Sequence, residues 1–84
     1  MTLKNEISEW FDRGLSSNMS HLLVVCDTFE YEEYPVFAKN NDDCLIKYEK
    51  YRFGENMQRL MEVYDLRLDK ESQLNQRRTW NIPE

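Results

Sequence analysis

The sequence predicts a single α+β domain with elements in the order α-β-β-α-β-α, in which helices pack on a three-stranded antiparallel sheet. This prediction depends on three observations, which are an amphipathic segment near the N-terminus, an apolar run over 22–25 and alternating apolar residues near 60. The 84 residues are too few for two hydrophobic cores, so we expect 1–84 to form one domain. Only two Gly and two Pro interrupt the chain, which favours regular secondary structure over most of its length.

The N-terminal segment 2–14 is predicted to be a helix. Thr2 suits the N-cap, and Gly14 supplies the left-handed residue that commonly ends a helix. The apolar residues that recur at helical spacing are Leu3, Ile7, Trp10 and Phe11.

Two strands are predicted next. The run over 21–29 is rich in Leu and Val, as in a central strand that is covered on both faces. The segment 34–39 resumes an extended pattern and is predicted to be the second strand. Because Pro cannot donate a hydrogen bond to a neighbouring strand, Pro35 indicates that this strand begins at or near residue 35 and lies at an edge of the sheet. The two strands form a hairpin whose connection is acidic and aromatic, with no dipeptide that specifies the turn type.

A helix is predicted over 42–51, where Asp42 and Asp43 suit the positive end of the helix. The segment after it fits either a helix or a strand, and a strand over 58–66 is favoured because a two-stranded hairpin alone is marginal. The last helix is predicted to begin after an N-cap at Asp69 and to continue to Arg78, with Leu74 facing inward.

Charge and cysteine content narrow the function classes. The net charge of −5 is typical of a small protein that is kept soluble by its charge. The alternative is an acidic recognition surface, which repels a phosphate backbone and favours basic partners over nucleic acid. Cys26 and Cys44 show no metal-type spacing, and Cys26 follows the apolar run like a small core side chain.

Residues 1–15 lack the apolar stretch of a signal peptide, and no run is long enough to span a bilayer, so we expect a cytoplasmic protein. The sequence indicates no cofactor.

The most unusual passage interleaves carboxylates with aromatic rings. Its candidate binding residues are Asp27, Thr28, Glu30, Tyr31, Glu32, Glu33 and Tyr34. One interpretation is a metal or acid/base site that includes His21, although adjacent acids such as Glu32 and Glu33 diverge in an extended chain. A second is a solvated hairpin connection whose charges discourage edge pairing. A third is a protein-recognition surface, because Tyr supplies rigid contact area and carboxylates pair with Arg or Lys.

The other candidate catalytic and binding groups in the sequence lack part of the residue set that their chemistry needs. His21 is the only histidine, and its odd spacing from Cys26 on one strand places the two side chains on opposite faces. Arg77, Arg78 and Trp80 form the one basic-aromatic cluster, which could contact nucleic acid by phosphate pairing and stacking. Helix-end arginines are the ordinary alternative. No phosphate-binding loop, nucleophile elbow or zinc-protease motif is present, so an enzyme is not favoured.

The passage over 21–37 resembles a family of small bacterial proteins of unassigned function that carry a similar "VVCDTFDYEDYPV" motif. The stretch 56–66, Gln73-Leu74 and Arg77-Arg78 are similar to that family as well, so the resemblance covers about residues 8–80, with a departure between 38 and 53. It implies no mechanism. It directs attention to the motif positions, which are Asp27, Thr28, Tyr31, Tyr34 and Arg78.

These observations together predict a small, non-enzymatic intracellular interaction protein, such as a regulator or inhibitor of a larger assembly. Another protein is the expected partner, and a homo-oligomer is compatible with the sequence. The alternatives are a metal-dependent enzyme or metal-binding protein that uses His21, Asp27 and the nearby glutamates, and a nucleic-acid-binding protein that uses the C-terminal Arg/Trp segment.

Overall fold

A computed structural model describes residues 4–52, 58–76 and 78–83, and it confirms the predicted order of elements. The helices are α1 (Lys4–Ser16), α2 (Asn41–Arg52) and α3 (Lys70–Leu74), and the strands are β1 (His21–Asp27), β2 (Glu32–Ala38) and β3 (Gln58–Asp65).

The sheet is antiparallel with the strand order β2-β1-β3, so β1 is central, as its apolar run predicts. Alternation along β1 sends Leu22 and Val24 to one face and Leu23 and Val25 to the other. The strand 58–66 that the sequence favoured over a helix is confirmed as β3, which pairs with β1 through a register shift between Val24 and Val25.

Each face of the sheet has its own core. The first core lies under α1 and α3 and contains Ile7, Phe11, Leu22, Val24, Tyr64, Leu66 and Leu74. The second lies under α2 and contains Leu23, Val25, Ala38, Cys44, Tyr51, Leu60 and Val63. The domain therefore has three layers, with the sheet in the middle.

The predicted end of the first helix is wrong. Helix α1 continues through Gly14 to Ser16, and the left-handed residue is Asn18, with φ of 59°. A Cβ at Gly14 would lie 2.6 Å from Leu66 Cδ1 and 3.0 Å from the Phe37 ring, so this glycine allows close packing instead of ending the helix. The predicted cap at Thr2 lies outside the described residues.

Other boundaries also differ. Strand β1 ends at Asp27, earlier than predicted, and β2 begins at Glu32, so Pro35 lies inside the strand opposite Val24. The edge position predicted for β2 is confirmed. Cys26 is half-buried near the end of β1, so the prediction of a core side chain fits Cys44 better.

Helix α3 ends at Leu74 and does not reach Arg78, although its predicted N-cap is confirmed by a 2.8 Å bond from the Ser72 amide to Asp69 Oδ2. The chain then runs along the outer edge of β3. There Val63 donates its N–H to Thr79 O at 2.9 Å and accepts from the Asn81 N–H at 3.0 Å. The last described residues thus protect part of an otherwise open edge.

Candidate functional site

The β1–β2 hairpin carries most of the predicted binding residues. Its last pair is Asp27 with Glu32, which leaves a four-residue loop over 28–31. Asp27 Oδ1 accepts the Phe29 N–H at 2.9 Å and the Glu30 N–H at 3.5 Å, an arrangement by which Asp commonly orders a turn. Tyr31 closes the loop with φ of 58°, a left-handed conformation that is uncommon for a non-glycine residue. The loop is therefore held by specific local bonds.

Two aromatic side chains project from this loop into solvent. Phe29 is 70% exposed and Tyr31 is 78% exposed, and the neighbouring Glu30 and Glu32 are exposed as well. We refer to Phe29, Glu30, Tyr31 and Glu32 as the hairpin tip. A mixed aromatic and acidic surface of this kind presents both apolar contact area and negative charge.

The carboxylates of the passage do not converge. Glu32 and Glu33 are adjacent residues of β2, so their side chains lie on opposite faces of the sheet, as the sequence predicts. Asp27 is occupied by the loop amides. In the described ranges, no group of three or more His, Cys, Asp or Glu side chains could hold a metal ion.

His21 lies at the other end of β1 from Asp27. Six residues of a strand span about 20 Å, so the two side chains named in the metal-site alternative are far apart. His21 is paired instead with Asp65 across the β1–β3 ladder.

Tyr34 has a structural environment. Its hydroxyl accepts a 2.6 Å bond from Gln58 Nε2, and its ring packs against the second core. Burial, with a smaller contribution from Tyr51 and Asp27, raises the pKa of the Tyr34 hydroxyl. Thr28 is half-buried and takes part in interactions within the chain. Tyr34 and Thr28 therefore support the hairpin more than they extend its exposed surface.

The basic-aromatic cluster is also engaged within the fold. Arg78 Nε donates to Met61 O at 3.0 Å, and the guanidinium lies 4.2 Å from the centre of the Trp80 ring. The Trp80 ring packs edge-on against Tyr48 of α2, with ring centres 5.9 Å apart. One face of Trp80 is thus covered by Arg78, which leaves less ring surface for stacking with a base. Arg77 lies outside the described residues.

A polar cluster that the sequence analysis did not single out lies at the opposite end of the sheet. Ser20 Oγ and His21 Nδ1 are 2.7 Å apart, and His21 Nε2 is 3.8 Å from Asp65 Oδ2. Asp65 Oδ1 in turn accepts from the Arg67 backbone N–H at 2.9 Å and from Arg67 Nε at 3.0 Å. Four polar residues thus form a continuous chain of contacts at the edge of the core.

The charge states in this cluster follow from its burial. Burial lowers the pKa of His21, against an opposing effect of Asp65, so the imidazole is neutral near pH 7. Burial raises the pKa of Asp65, but the hydrogen bonds from Arg67 outweigh it and hold that pKa below its usual range. At neutral pH the cluster therefore contains a neutral imidazole beside an ionised carboxylate.

An open cavity of about 450 Å³ adjoins this cluster. Its lining consists of Ser20, Lys39, Asn40, Asn41, Asp42 and Arg67. Local sequence gives no signal for this grouping, because Ser20 and Arg67 are brought together only by the pairing of His21 with Asp65. This grouping could have been predicted only from the correct pairing register of β1 and β3.

Comparison of the chain with protein-family models, curated proteins and solved structures gives no significant match. The resemblance to a bacterial family therefore stays a prediction. Within the described part of the chain, no helix combines the length and the apolar character needed to cross a membrane.

Proposed function

We propose that this chain is a small cytoplasmic protein-interaction module that regulates or inhibits a larger assembly by docking its hairpin tip. The observation that carries the proposal is the exposure of Phe29 and Tyr31 on an ordered loop between acidic side chains. Aromatic residues contribute large contact areas at interfaces, and loops on rigid scaffolds commonly carry binding residues.

The order of the loop favours binding. The bonds from Asp27 Oδ1 and the left-handed Tyr31 restrict the conformations of the tip before any partner arrives. A preorganised loop loses less conformational entropy on association, so more of the contact energy appears as affinity. A non-glycine residue at positive φ costs about 1 kcal/mol or more, and such strain is often found at ligand-binding positions.

The charge of the tip defines the partner. Glu30 and Glu32 flank the aromatic rings, and the whole chain carries a net charge of −5. The complementary surface is an apolar depression with Arg or Lys at its rim, because such charges steer association and set specificity.

Affinity capture with matched variants tests this proposal. The tip variant combines Phe29→Ser and Tyr31→Ser with Glu30→Lys and Glu32→Lys, and the control combines Ile46→Ser with Leu68→Ser, two exposed apolar side chains elsewhere. We expect proteins that bind the wild-type chain and the control but are lost with the tip variant, at equal thermal stability of all three. Equal recovery of the same proteins by the tip variant would refute the proposed surface.

A further inference from the structure

We propose that Ser20 is a nucleophile, activated by His21, in a second site that accepts short-chain carboxylic esters in the cavity beside Arg67. This inference goes beyond the proposed function and concerns the opposite end of β1 from the hairpin tip.

The Ser20 hydroxyl lies close to a candidate base. Ser20 Oγ is 2.7 Å from His21 Nδ1, within the range in which an imidazole removes a hydroxyl proton. Ser20 is 8% exposed and lines the cavity, whereas His21 is 1% exposed and lies behind it. Ser20 therefore lies between the cavity and the imidazole of His21.

The surroundings of His21 favour the tautomer that can accept the hydroxyl proton. The Asp65 carboxylate, 3.8 Å from Nε2, favours the proton on that nitrogen and leaves the Nδ1 lone pair to accept from Ser20. The competing acceptor for the hydroxyl, Ala38 O, is more distant at 3.4 Å. Ser20 and His21 thus take the roles of nucleophile and base, and Asp65, which at 3.8 Å is too distant for a hydrogen bond, acts on the imidazole through its charge.

The protonation state of His21 also suits a base. The charged or titratable groups around His21 are Asp65 and Arg67 on the β3 side, with Cys44 of α2 close to that same pair. Burial keeps the imidazole neutral near pH 7, so it can take a proton. Burial also raises the pKa of Cys44 to about 11, so this thiol does not compete as a nucleophile.

The cavity lining fits a small polar ester. The Asn40 and Asn41 amide oxygens accept from the Asp43 N–H at 2.8 Å and from Arg67 at 2.9 Å, so their amide NH₂ groups are the donors available to a ligand. Together with the Lys39 ammonium they would offset the Asp42 carboxylate of the same lining and stabilise negative charge on a carbonyl oxygen. The six lining side chains are all polar or charged, which disfavours a long acyl chain.

The reaction is an ester hydrolysis in two steps. Ser20 Oγ forms a bond to the carbonyl carbon while its proton moves to His21 Nδ1, and the leaving alkoxide then departs with that proton. Water next attacks the acyl-serine, gives a proton to Nδ1, and releases the carboxylic acid as the proton returns to Ser20 Oγ. The net reaction converts an ester and water into an acid and an alcohol.

The test uses the full chain with a biotinylated fluorophosphonate and, separately, with 4-nitrophenyl acetate. We expect the phosphonate on the Ser20 peptide, with loss of fluoride, at a rate about 100-fold or more above that of other hydroxyls. The ester should give a burst of about one nitrophenolate per chain. Both rates should fall on acidification as His21 becomes protonated.

Ser20→Ala should abolish both signals, whereas Ser16→Ala, at the exposed end of α1, should leave them unchanged. Peptide mapping of the wild-type chain decides the question even where Ser20→Ala fails to fold. A wild-type chain that stays unlabelled, or that is labelled at another residue, overturns the proposal.

Discussion

The side chain of Gln73 binds both backbone polar groups of Asp65. Gln73 Oε1 accepts the Asp65 N–H at 2.8 Å, and Gln73 Nε2 donates to Asp65 O at 2.9 Å. Gln73 Oε1 also accepts from Asn81 Nδ2 at 2.7 Å, and the Gln73 carbonyl accepts from Thr79 Oγ1 at 2.6 Å. This one buried residue therefore joins α3 and the C-terminal segment to the end of β3, and it holds Asp65 in place beside His21.

Replacement of Gln73 by Ala should destabilise the whole domain. The change leaves two backbone groups of Asp65 without their partner, and each buried unsatisfied group costs about 1–3 kcal/mol, so we expect a loss of roughly 2–6 kcal/mol. Urea unfolding measures it, with Gln76→Ala at an exposed position as the control. A change in both variants within about 0.5 kcal/mol of zero would show that these bonds do not stabilise the fold.

Gly14→Ala should not stabilise the protein, although it improves helix propensity. The new Cβ would meet Leu66 Cδ1 at 2.6 Å, and overpacking of this kind typically costs about 1–3 kcal/mol. The gain from replacing Gly in a helix is about 1 kcal/mol, so we expect a net loss or a balance, never a clear gain. Thermal unfolding decides, with the exposed Ser16→Ala as the reference for propensity alone. A variant more stable than wild type would mean that Gly14 is not closely packed.

Asp27→Ala should release the hairpin loop, whereas Asp27→Asn should largely preserve it. Asn keeps the side-chain oxygen that accepts from the Phe29 and Glu30 amides, and Ala removes it. We expect faster amide hydrogen exchange at Phe29 and a cost of about 1 kcal/mol in the Ala variant. Equal exchange rates in both variants would indicate that the loop is ordered by other contacts.

Acidification should destabilise the protein through its single histidine. Because burial lowers the pKa of His21 in the folded state below the ordinary 6.5, the unfolded chain binds more protons below that pH. The stability contribution is present above about pH 6.5 and is lost as the pH falls towards the folded pKa. An NMR titration of the imidazole measures the folded pKa directly, and a midpoint above 6.5 would reverse the expected sign.

A second and separate loss is expected at lower pH. The pKa of Asp65 is held below its ordinary 3.8 by Arg67, so its contribution is present above that pH and disappears only as the carboxylate is protonated. Removal of the Arg67 side chain should shift this second transition upward, which urea unfolding at several pH values would record. If the pH dependence of stability is unchanged in Arg67→Ala, Arg67 does not lower the pKa of Asp65.

The sequence predicts the secondary structure well where a local pattern determines it. The apolar run over 22–25 correctly indicates a central strand, and Asp69 correctly marks the start of α3. The errors arise where a distant contact determines the conformation. Gly14 lies within a helix and packs closely against Leu66 and Phe37, and residues 79–81 lie beside β3 because Gln73 and Val63 bind them.

The two candidate sites also differ in how far they can be predicted from local sequence. The hairpin tip is contiguous in sequence, so Glu30, Tyr31 and Glu32 are apparent as candidates from the local sequence, whereas Phe29 is identified only by its exposure in the structure. The contacts among Ser20, His21, Asp65 and Arg67 depend on the register of β1 and β3, which no local pattern specifies. Likewise, the contacts of Trp80 with Arg78 and Tyr48 can be predicted only when the path of the chain after α3 is known.

The most direct test of the proposed interaction is photo-crosslinking from the hairpin tip. Tyr31 is replaced by p-benzoyl-phenylalanine, and the same photoreactive residue is placed at Ile46 of α2, which is 67% exposed, as the control. The account predicts a specific crosslink from position 31 to a partner peptide that contains Arg or Lys beside apolar residues, and no such crosslink from position 46. Identical products from both positions, or none from position 31, would contradict it.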